Sequence, residues 1–388
     1  MRIFLPRLPE TPCRRSSGSL IGWRPSHTST MVAPKSPSIE PTAVQRQGLA
    51  ALHPGNFALV MASAILAQGF HLHALPKVGR FLDAFALFAF VVLMALSLAR
   101  VVFASSAVRD DLTNPRLVFG FFTLVAAASL VGQIALGHGQ APVAMGLWAF
   151  AFVVWCLLLY LAFAVLTFLT HEHNVNIVHG GWLIAIVGTQ SLVVLGARLV
   201  PELGEYGRYM QVEVHMLWGL GLCLYGIFVT LFCYRIFFLR LAPDDVGPLL
   251  WVVMGAAAIS ANAGTALIAL ETPLPFLAAQ RPFVDGVTMM IWAWATWWIP
   301  LLTLFGVWKH GINRRPLRYE PIMWSLVFPL GMYAVASARL GLAADFEPLG
   351  WISTLVLAGG SLAWVVVMMG LLRRLGRRPW RPRIAPEN

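Results

Sequence analysis

Residues 179–199 read HGGWLIAIVGTQSLVVLGARL, an apolar stretch whose single charged residue, Arg198, stands next to its end. A helix needs about 20 apolar residues to cross the hydrocarbon core of a bilayer, so this stretch predicts a transmembrane helix. Comparable stretches recur between short segments that contain proline, glycine or charge. They predict ten spans, at residues 56–74, 81–103, 117–136, 143–169, 179–199, 212–238, 249–270, 283–308, 322–342 and 350–372. The predicted fold class is an all-α integral membrane protein with ten transmembrane helices.

The composition of the 388-residue chain favours the same class. With 58% hydrophobic and 12% charged residues, the chain has too little polar surface to cover soluble domains of this total length. The net charge of +11 comes from lysines and arginines at the ends and in loops, so we expect no nucleic-acid partner. The four cysteines show neither a disulfide framework nor the spacing of metal ligands. We expect no metal and no cofactor.

The basic residues also predict the orientation of the spans. Of the 28 lysines and arginines, 22 fall on the side of the two chain ends, which the positive-inside rule places in the cytoplasm. We therefore expect a multi-pass protein of the plasma or inner membrane with both termini cytoplasmic. The joins at residues 75–80 and 137–142 are short enough to require antiparallel hairpins.

Three regions follow from these spans. Residues 1–50 are rich in arginine, serine and proline, which predicts a disordered cytoplasmic segment, and Met31 offers an alternative start that would leave residues 1–30 untranslated. Residues 51–372 form the transmembrane domain. The basic tail, residues 373–388, is expected to contact the anionic headgroups of membrane lipids.

The odd-numbered spans contain no aspartate, glutamate, lysine or arginine except Arg198 and Arg339, which lie near span ends. This scarcity indicates a passive or weakly coupled pathway rather than a pump driven by carboxylates. Their interiors contain neutral polar residues, namely Ser63, Gln68, Gln133, Thr189, Gln190, Ser191, Asn262, Thr265, Ser325 and Ser337. The candidate pore-lining residues are Ser63, Gln133, Gln190, Asn262 and Ser325. The alternative is hydrogen bonding between helices, which is common in membranes.

Titratable residues support two further hypotheses. Glu213, His215 and Asp285 stand at the starts of spans six and eight, where they are candidates for proton coupling or for helix capping. Seven histidines could instead make the chain a membrane redox subunit that binds haem, namely His71, His73, His138, His171, His173, His179 and His215. Most of these lie at span ends and no two lie at the middle of separate spans, which favours interfacial positions.

Prolines inside spans indicate bends. Pro300 and Pro329 each free a carbonyl group one helical turn earlier, which must find another partner. Phe328 precedes Pro329 in a stretch of small and aliphatic residues. A bulky ring at a bend can close a narrow pathway by steric and dewetting effects.

Five segments resemble a known family when taken in order. They are HPGNFALVMAS from His53, NPRLVFGFFT from Asn114, GGWLIAIVGTQSLVVLG from Gly180, WATWWIPLL from Trp294 and YEPIMWSLVFPLGMY from Tyr319. Together they resemble the tellurite-resistance and C4-dicarboxylate transporter family. Its wider group includes the TehA-type channels, the fungal malate and sulfite permeases and the plant slow anion channels. The resemblance runs from about residue 50 to 372.

The resemblance implies five helical hairpins around a central pore, with odd-numbered helices inside, and a homotrimer. It implies that the phenylalanine of the ninth helix, here Phe328, plugs the pore, with bends at Pro329 and Pro300. It also implies an anion permease or channel rather than an enzyme, with small anions as substrates: C4-dicarboxylates, oxyanions such as tellurite, or inorganic monovalent anions. Ala62-Ser63-Ala64 departs from the glycine or threonine of many relatives, so the resemblance does not determine the width of the pore at this position.

Overall fold

The computed structural model describes residues 48–169, 178–316 and 319–376, and these residues form helices, turns and loops without a strand. Nine helical segments in this part of the chain are long and apolar enough to cross a membrane. The prediction of an all-helical membrane protein is therefore confirmed. The predicted N-terminal segment, residues 1–50, and the basic tail, residues 373–388, lie largely outside the described residues.

The nine segments contain or border twelve α-helices. These are α1 (Ala58–Leu72), α2 (Pro76–Phe103), α3 (Ser105–Thr113), α4 (Phe122–Gly137), α5 (Ala141–Ala164), α6 (Ile184–Leu199), α7 (Gly207–Phe238), α8 (Val252–Ile268), α9 (Pro275–Ala278), α10 (Arg281–Val307), α11 (Trp324–Ala343) and α12 (Pro348–Gly376). A π-helical turn extends α5 over Val165–Leu169, and another extends α10 over Trp308–Ile312.

The longest candidate span, Gly180–Phe238, contains both α6 and α7. A 3₁₀ helix over Val200–Tyr206 joins them, and Gly204 interrupts its geometry with φ +52° and ψ −124°. A positive φ at this position suits glycine, which lacks the Cβ that would make it costly. The two α-helices pack against each other. The kink at Gly204 separates α6 from α7 inside one candidate span, so nine candidate spans stand where the sequence predicts ten.

Two helices, α2 and α12, extend beyond the apolar stretches that predict them. α2 begins at Pro76, five residues before the predicted residue 81, and thus includes Lys77 and Arg80. α12 continues to Gly376 instead of ending at residue 372. Counting apolar residues stops at the first charges, whereas a helix continues through the headgroup layer, and proline at its first turn is a common start.

Five α-helices form an inner group with a closed order of contacts. α1 packs against α4, α4 against α6, α6 against α8, α8 against α11, and α11 against α1. Each inner helix also packs against the long helix that follows it, which is α2, α5, α7, α10 or α12. We refer to these five as the outer helices.

Burial distinguishes the two groups. In the four inner spans outside the long segment, 61% to 83% of the residues are buried, against 17% to 33% in the four comparable outer spans. Helices that expose large apolar side chains without a protein partner are typical of contact with lipid. The polar side chains that could serve a pathway therefore lie in the inner group.

A 3₁₀ turn precedes each inner helix. The five turns are Pro54–Phe57, Val118–Phe121, Gly180–Leu183, Pro248–Trp251 and Pro321–Met323, and they contact one another in the same closed order as the helices. We call the end of the inner group that carries these turns the turn end, and the opposite end the ring end. All five inner helices thus begin at one end of the group.

Side chains cap two of these starts. His53 Nδ1 accepts a hydrogen bond from the Gly55 N–H at 2.9 Å, and His179 Nδ1 accepts one from the Gly181 N–H at 3.0 Å. The first N–H groups of a helix have no partner within the helix, so both bonds stabilise the turn end. In the loop before Val118–Phe121, Asn114 Oδ1 accepts a hydrogen bond from the Arg116 N–H at 2.9 Å.

Candidate functional site

Five polar side chains, one from each inner helix, meet near the ring end. The Arg339 guanidinium donates to Asn262 Oδ1 and to Gln68 Oε1, both at 3.0 Å. Gln68 Nε2 donates to Gln133 Oε1 at 3.3 Å, and the same oxygen accepts from the Arg198 guanidinium at 3.4 Å. We call this set of Gln68, Gln133, Arg198, Asn262 and Arg339 the polar ring.

The positions of the five residues along their helices explain how they reach one level. Gln68, Gln133 and Asn262 lie 10 or 11 residues after the first residue of α1, α4 and α8. Arg198 and Arg339 lie 14 and 15 residues after the starts of α6 and α11. Side chains on a helix lean toward its N-terminus, so the longer arginines reach back to the level of the shorter amides.

The hydrogen bonds within the polar ring use its amide oxygens and leave N–H groups. Each of the three oxygens accepts from an arginine. The amide nitrogens of Gln133 and Asn262 donate to nothing in the described part of the chain, and only one nitrogen of Arg198 is used. The unused groups of these residues are therefore donors.

The two arginines of the polar ring have no acidic partner among the described residues. The ion pairs there join His71 to Asp83, Arg100 to Asp111, Arg235 to Asp245, and Arg315 to Asp244. Two guanidinium charges surrounded by neutral amides create a positive potential in a medium of low dielectric constant. Such a potential attracts anions and repels cations.

The polar ring borders space that water can reach. Arg198 is exposed although its neighbours Ala197 and Leu199 are only 2% and 0% exposed. Gln68 and Arg339 are also partly exposed between buried neighbours. The inner group is thus open to solvent at the ring end, at least to the depth of these side chains.

Phe328 and Pro329 lie closer to the turn end of α11. Phe328 is 3% exposed and precedes Arg339 by 11 residues, which is about 16 Å along the helix axis. Pro329 lies against Gly255 of α8, where an added Cβ would come within 2.8 Å of Pro329 Cγ. Its ring removes the hydrogen bond to the carbonyl of Ser325, a buried residue on the same helix.

The other predicted site residues face different surroundings. Ser63 accepts a hydrogen bond from the Trp364 indole of α12 at 2.9 Å, and Gln190 donates to the Trp218 carbonyl of α7 at 3.2 Å. Both side chains therefore bond to outer helices. Pro300 lies on α10, an outer helix, and is exposed. Of the predicted pore-lining residues, the structure brings together Gln133 and Asn262.

Gln68, Arg198 and Arg339 belong to the polar ring although the sequence did not single them out as site residues. The sequence carried a signal for the two arginines, because they are the only charges in the odd-numbered spans. Ionisable residues within the membrane are costly and usually functional. Because both lie near the ends of their predicted spans, neither was predicted to be a site residue.

The described histidines are engaged in local contacts. His71 pairs with Asp83 at 2.7 Å, and His73, His138 and His215 contact the backbone carbonyls of Gly69, Ile134 and Gln211. Within the described ranges no group of three or more histidine, cysteine or acidic residues is placed to hold a metal ion. His171 and His173 lie outside those ranges. Of the proton-coupling candidates, Glu213 is half-buried and Asp285 is exposed.

Comparison with known proteins yields one family and two groups of relatives. Residues 51–372 match the family model described as voltage-dependent anion channel. An uncharacterized membrane protein of Mycobacterium tuberculosis is 37% identical over 163 residues, which cover 40% of this chain and 80% of that protein. An uncharacterized transporter of Methanocaldococcus jannaschii is 25% identical over 293 residues, which cover 73% of this chain and 83% of that protein.

Proposed function

The chain belongs to the voltage-dependent anion channel family, and we propose that it passes small anions along the axis of its five inner helices. The inner helices pack in a closed order, and each pairs with the outer helix that follows it. Counting Gly180–Phe238 as two crossings gives ten spans, arranged as five hairpins around a central pore. The connection with the kink at Gly204 supports this count.

The sidedness follows from the basic residues. We propose that the turn end and both termini face the cytoplasm and that the ring end faces outward, across the plasma or inner membrane. A homotrimer is proposed from the family resemblance. The transmembrane domain would span residues 51–372, flanked by the N-terminal segment and the basic tail.

The polar ring is the observation that supports anion binding. It carries two positive charges without an acidic partner in the described part of the chain, and its free groups are N–H donors. A permeant anion accepts hydrogen bonds and supplies negative charge, so it satisfies both features. Two guanidinium groups match the two charges of a C4-dicarboxylate, which we propose as the preferred class, ahead of oxyanions and inorganic monovalent anions.

We propose that Phe328 closes the pathway between the polar ring and the turn end. Its burial, with neighbours such as Val327 at 0% exposed, agrees with a dry and narrow segment. The adjacent Pro329 lies against Gly255 of α8, so the bend occurs at a contact between two inner helices. An anion bound at the polar ring would pass only after the Phe328 side chain moves.

Anion flux into proteoliposomes tests the proposal, with chloride, nitrate and malate offered in turn under an imposed potential. We expect Arg339→Gln to slow malate flux at least tenfold, since a hydrogen bond to a charged group contributes about 1.5–3 kcal/mol. We expect Arg198→Gln to slow it by less than about fivefold, because Arg198 is exposed and makes one long bond.

Arg80→Gln is the matched control, since Arg80 is exposed at the ring end of α2 and forms none of the described ion pairs. Its flux should equal that of the wild type. Equal malate flux in the wild type and Arg339→Gln would remove the polar ring as the binding site. A folded wild type that passes none of the three anions would remove the transport proposal itself.

A further inference from the structure

A second site lies at the turn end, outside the axis of the inner helices. A cavity of about 500 Å³ opens there between the starts of α6, α8 and α11 and the ends of the outer helices α7 and α10. The turns supply His179 and Leu250, α7 supplies Phe232 and Ile236, and the end of α10 supplies Lys309. A cavity of this size accommodates an organic molecule rather than a single ion.

Half of the six charged residues that line the cavity are already paired. Arg235 bonds to Asp245 at 3.1 Å, and Asp244 lies 3.7 Å from Arg315. Arg116 and Lys309 have no carboxylate within ion-pair distance among the described residues.

Lys309 Nζ instead donates to the Val246 carbonyl at 2.6 Å, a contact that leaves its charge uncompensated. Glu320 is the remaining acidic residue of the lining. The six charges of the lining sum to zero, but Arg315 outside the lining also lies beside Asp244. With Arg315 included, the region carries about one positive unit, which a monoanion would balance.

His179 also lines this cavity, with its polar atoms turned toward protein. Its Nδ1 accepts the Gly181 N–H, so in the neutral ring the proton lies on Nε2. Nε2 is buried, and the Arg116 backbone lies beside it. The groups of the lining that are left for a ligand are therefore the side chains of Arg116, Lys309 and Glu320.

Apolar side chains form the rest of the wall, and they lead toward lipid. Phe232 and Ile236 of α7 are buried, whereas Phe237 and Phe238, which follow directly, are 50% and 75% exposed. On α10, Leu304 and Val307 near Lys309 are 61% and 55% exposed. The cavity therefore lies where two lipid-facing helices end, at the depth of lipid headgroups.

We propose that this cavity binds the headgroup of an anionic phospholipid such as phosphatidylglycerol. The phosphodiester carries one negative charge and offers its oxygens to Arg116 and Lys309. The hydroxyl groups of the headgroup donate to Glu320, and the glycerol carbons contact Phe232 and Ile236. Basic pockets between membrane helices are known to take anionic headgroups.

A lipid in this place would join the outer helices α7 and α10 to the starts of α6 and α8. A ligand that binds only the folded state stabilises it by RT ln(1 + L/Kd), where L is the free ligand concentration. The lipid would thus stabilise the turn end independently of transport, and the inference stands or falls separately from the proposed function. A soluble phosphate ester offers the same oxygens, so the experiment must distinguish the two sources.

The experiment compares thermal unfolding of the full chain in nanodiscs of phosphatidylcholine with unfolding in nanodiscs that also contain phosphatidylglycerol. We expect phosphatidylglycerol to raise the unfolding midpoint of the wild type by a few degrees. The double variant Arg116→Gln/Lys309→Gln should lose most of this rise. The control Lys77→Gln/Arg80→Gln removes the same charge from exposed residues at the ring end and should keep it.

A third arm adds glycerophosphoglycerol, the headgroup without acyl chains, to phosphatidylcholine nanodiscs. No shift with the soluble headgroup, together with a shift from the lipid, supports the proposal. An equal shift with the soluble headgroup would overturn the lipid as the source. The proposal is also overturned if phosphatidylglycerol does not raise the unfolding midpoint of the wild type. It is overturned as well if Arg116→Gln/Lys309→Gln and Lys77→Gln/Arg80→Gln lose the rise equally.

Discussion

The two ends of the inner helices are built differently although the same five helices form both. At the turn end, the side chains of His53 and His179 cap two helix starts, and neighbouring turns lie in close contact. At the ring end, Arg198 and Arg339 bond to three amides and border accessible space. One end satisfies backbone groups with side chains, and the other leaves side-chain donors unused.

This difference suggests that the two ends carry different tasks. Tight backbone contacts and caps contribute to the stability of the fold, whereas unpaired donors cost stability and are retained where a ligand completes them. Substitutions at the turn end should therefore change the free energy of unfolding with little effect on selectivity. Substitutions in the polar ring should change anion flux with little effect on unfolding.

Gly180→Ala tests the turn end most severely. A Cβ on Gly180 would overlap the backbone carbonyl oxygen of Leu249, which belongs to the neighbouring turn and cannot rotate away. We expect a loss of about 3 kcal/mol or more in the free energy of unfolding, or no folded protein at all. Thermal or denaturant unfolding in detergent measures it.

Gly247→Ala is the matched control, because it lies in the same contact region and a Cβ there meets nothing within 4 Å. It should unfold like the wild type. If Gly180→Ala were equally stable, the backbone contact between the two turns would not be the source of rigidity at this end, and the contrast between the ends would weaken.

The His179 cap makes the turn end sensitive to acid. Burial lowers the pKa of His179 from 6.5 to about 4, and the charges of Arg116 and Arg235 lower it further while the Arg116 backbone opposes them. Because the unfolded chain binds the proton first, stability is complete above about pH 6.5 and falls as the pH drops toward 4. The loss is at most about 3 kcal/mol.

His179→Asn isolates this contribution, since asparagine is a favoured N-cap residue but does not titrate. Unfolding free energies at neutral pH and near pH 4 should differ more for the wild type than for the variant. Equal pH dependence in both would mean that other groups cause the acid sensitivity. Malate selectivity above pH 6.5 should be the same in both proteins.

The sequence predicted the fold better than it predicted the site, for physical reasons. Apolar stretches of about 20 residues reveal spans because the bilayer imposes that length on every crossing. The start of α2 lies five residues before its predicted position, because Lys77 and Arg80 continue the helix into the headgroup layer, and the start of α7 differs by the same number. Apolar counting left residues 200–211 between two predicted spans. The structure has a 3₁₀ helix with a kink at Gly204 and the start of α7 there, within the 59-residue segment Gly180–Phe238.

The polar ring depends on which face of each helix turns inward, and a single sequence does not give that. Gln133 and Gln190 are both buried glutamines in inner helices, yet Gln133 joins the ring and Gln190 bonds to α7. Once the structure is known, Gly221 of α7 explains the position of Gln190, since the absence of a side chain there leaves room for the Gln190 amide. Only the packing order of the helices separates the two glutamines.

Phe328→Ala tests whether the barrier and the polar ring are separate. Removing the ring of Phe328 widens the dry segment of α11, so we expect flux of malate, nitrate and chloride to rise severalfold. A tenfold rise would correspond to about 1.4 kcal/mol in the barrier. Phe88→Ala is the control, because Phe88 is an outer-helix phenylalanine that is 67% exposed, and its flux should not change.

The ratio of malate to nitrate flux carries the sharper information. Phe328 and Arg339 are about 16 Å apart along α11, so opening the barrier leaves the charges that sort the anions in place. The ratio should therefore stay close to that of the wild type while both fluxes increase. A ratio that collapses toward equal permeation would place selectivity at Phe328 rather than at the polar ring. Unchanged flux in Phe328→Ala would show that the barrier lies elsewhere. The double variant Phe328→Ala/Arg339→Gln should show fast flux and no preference for malate, which would establish that the barrier at Phe328 and the selectivity of the polar ring act independently.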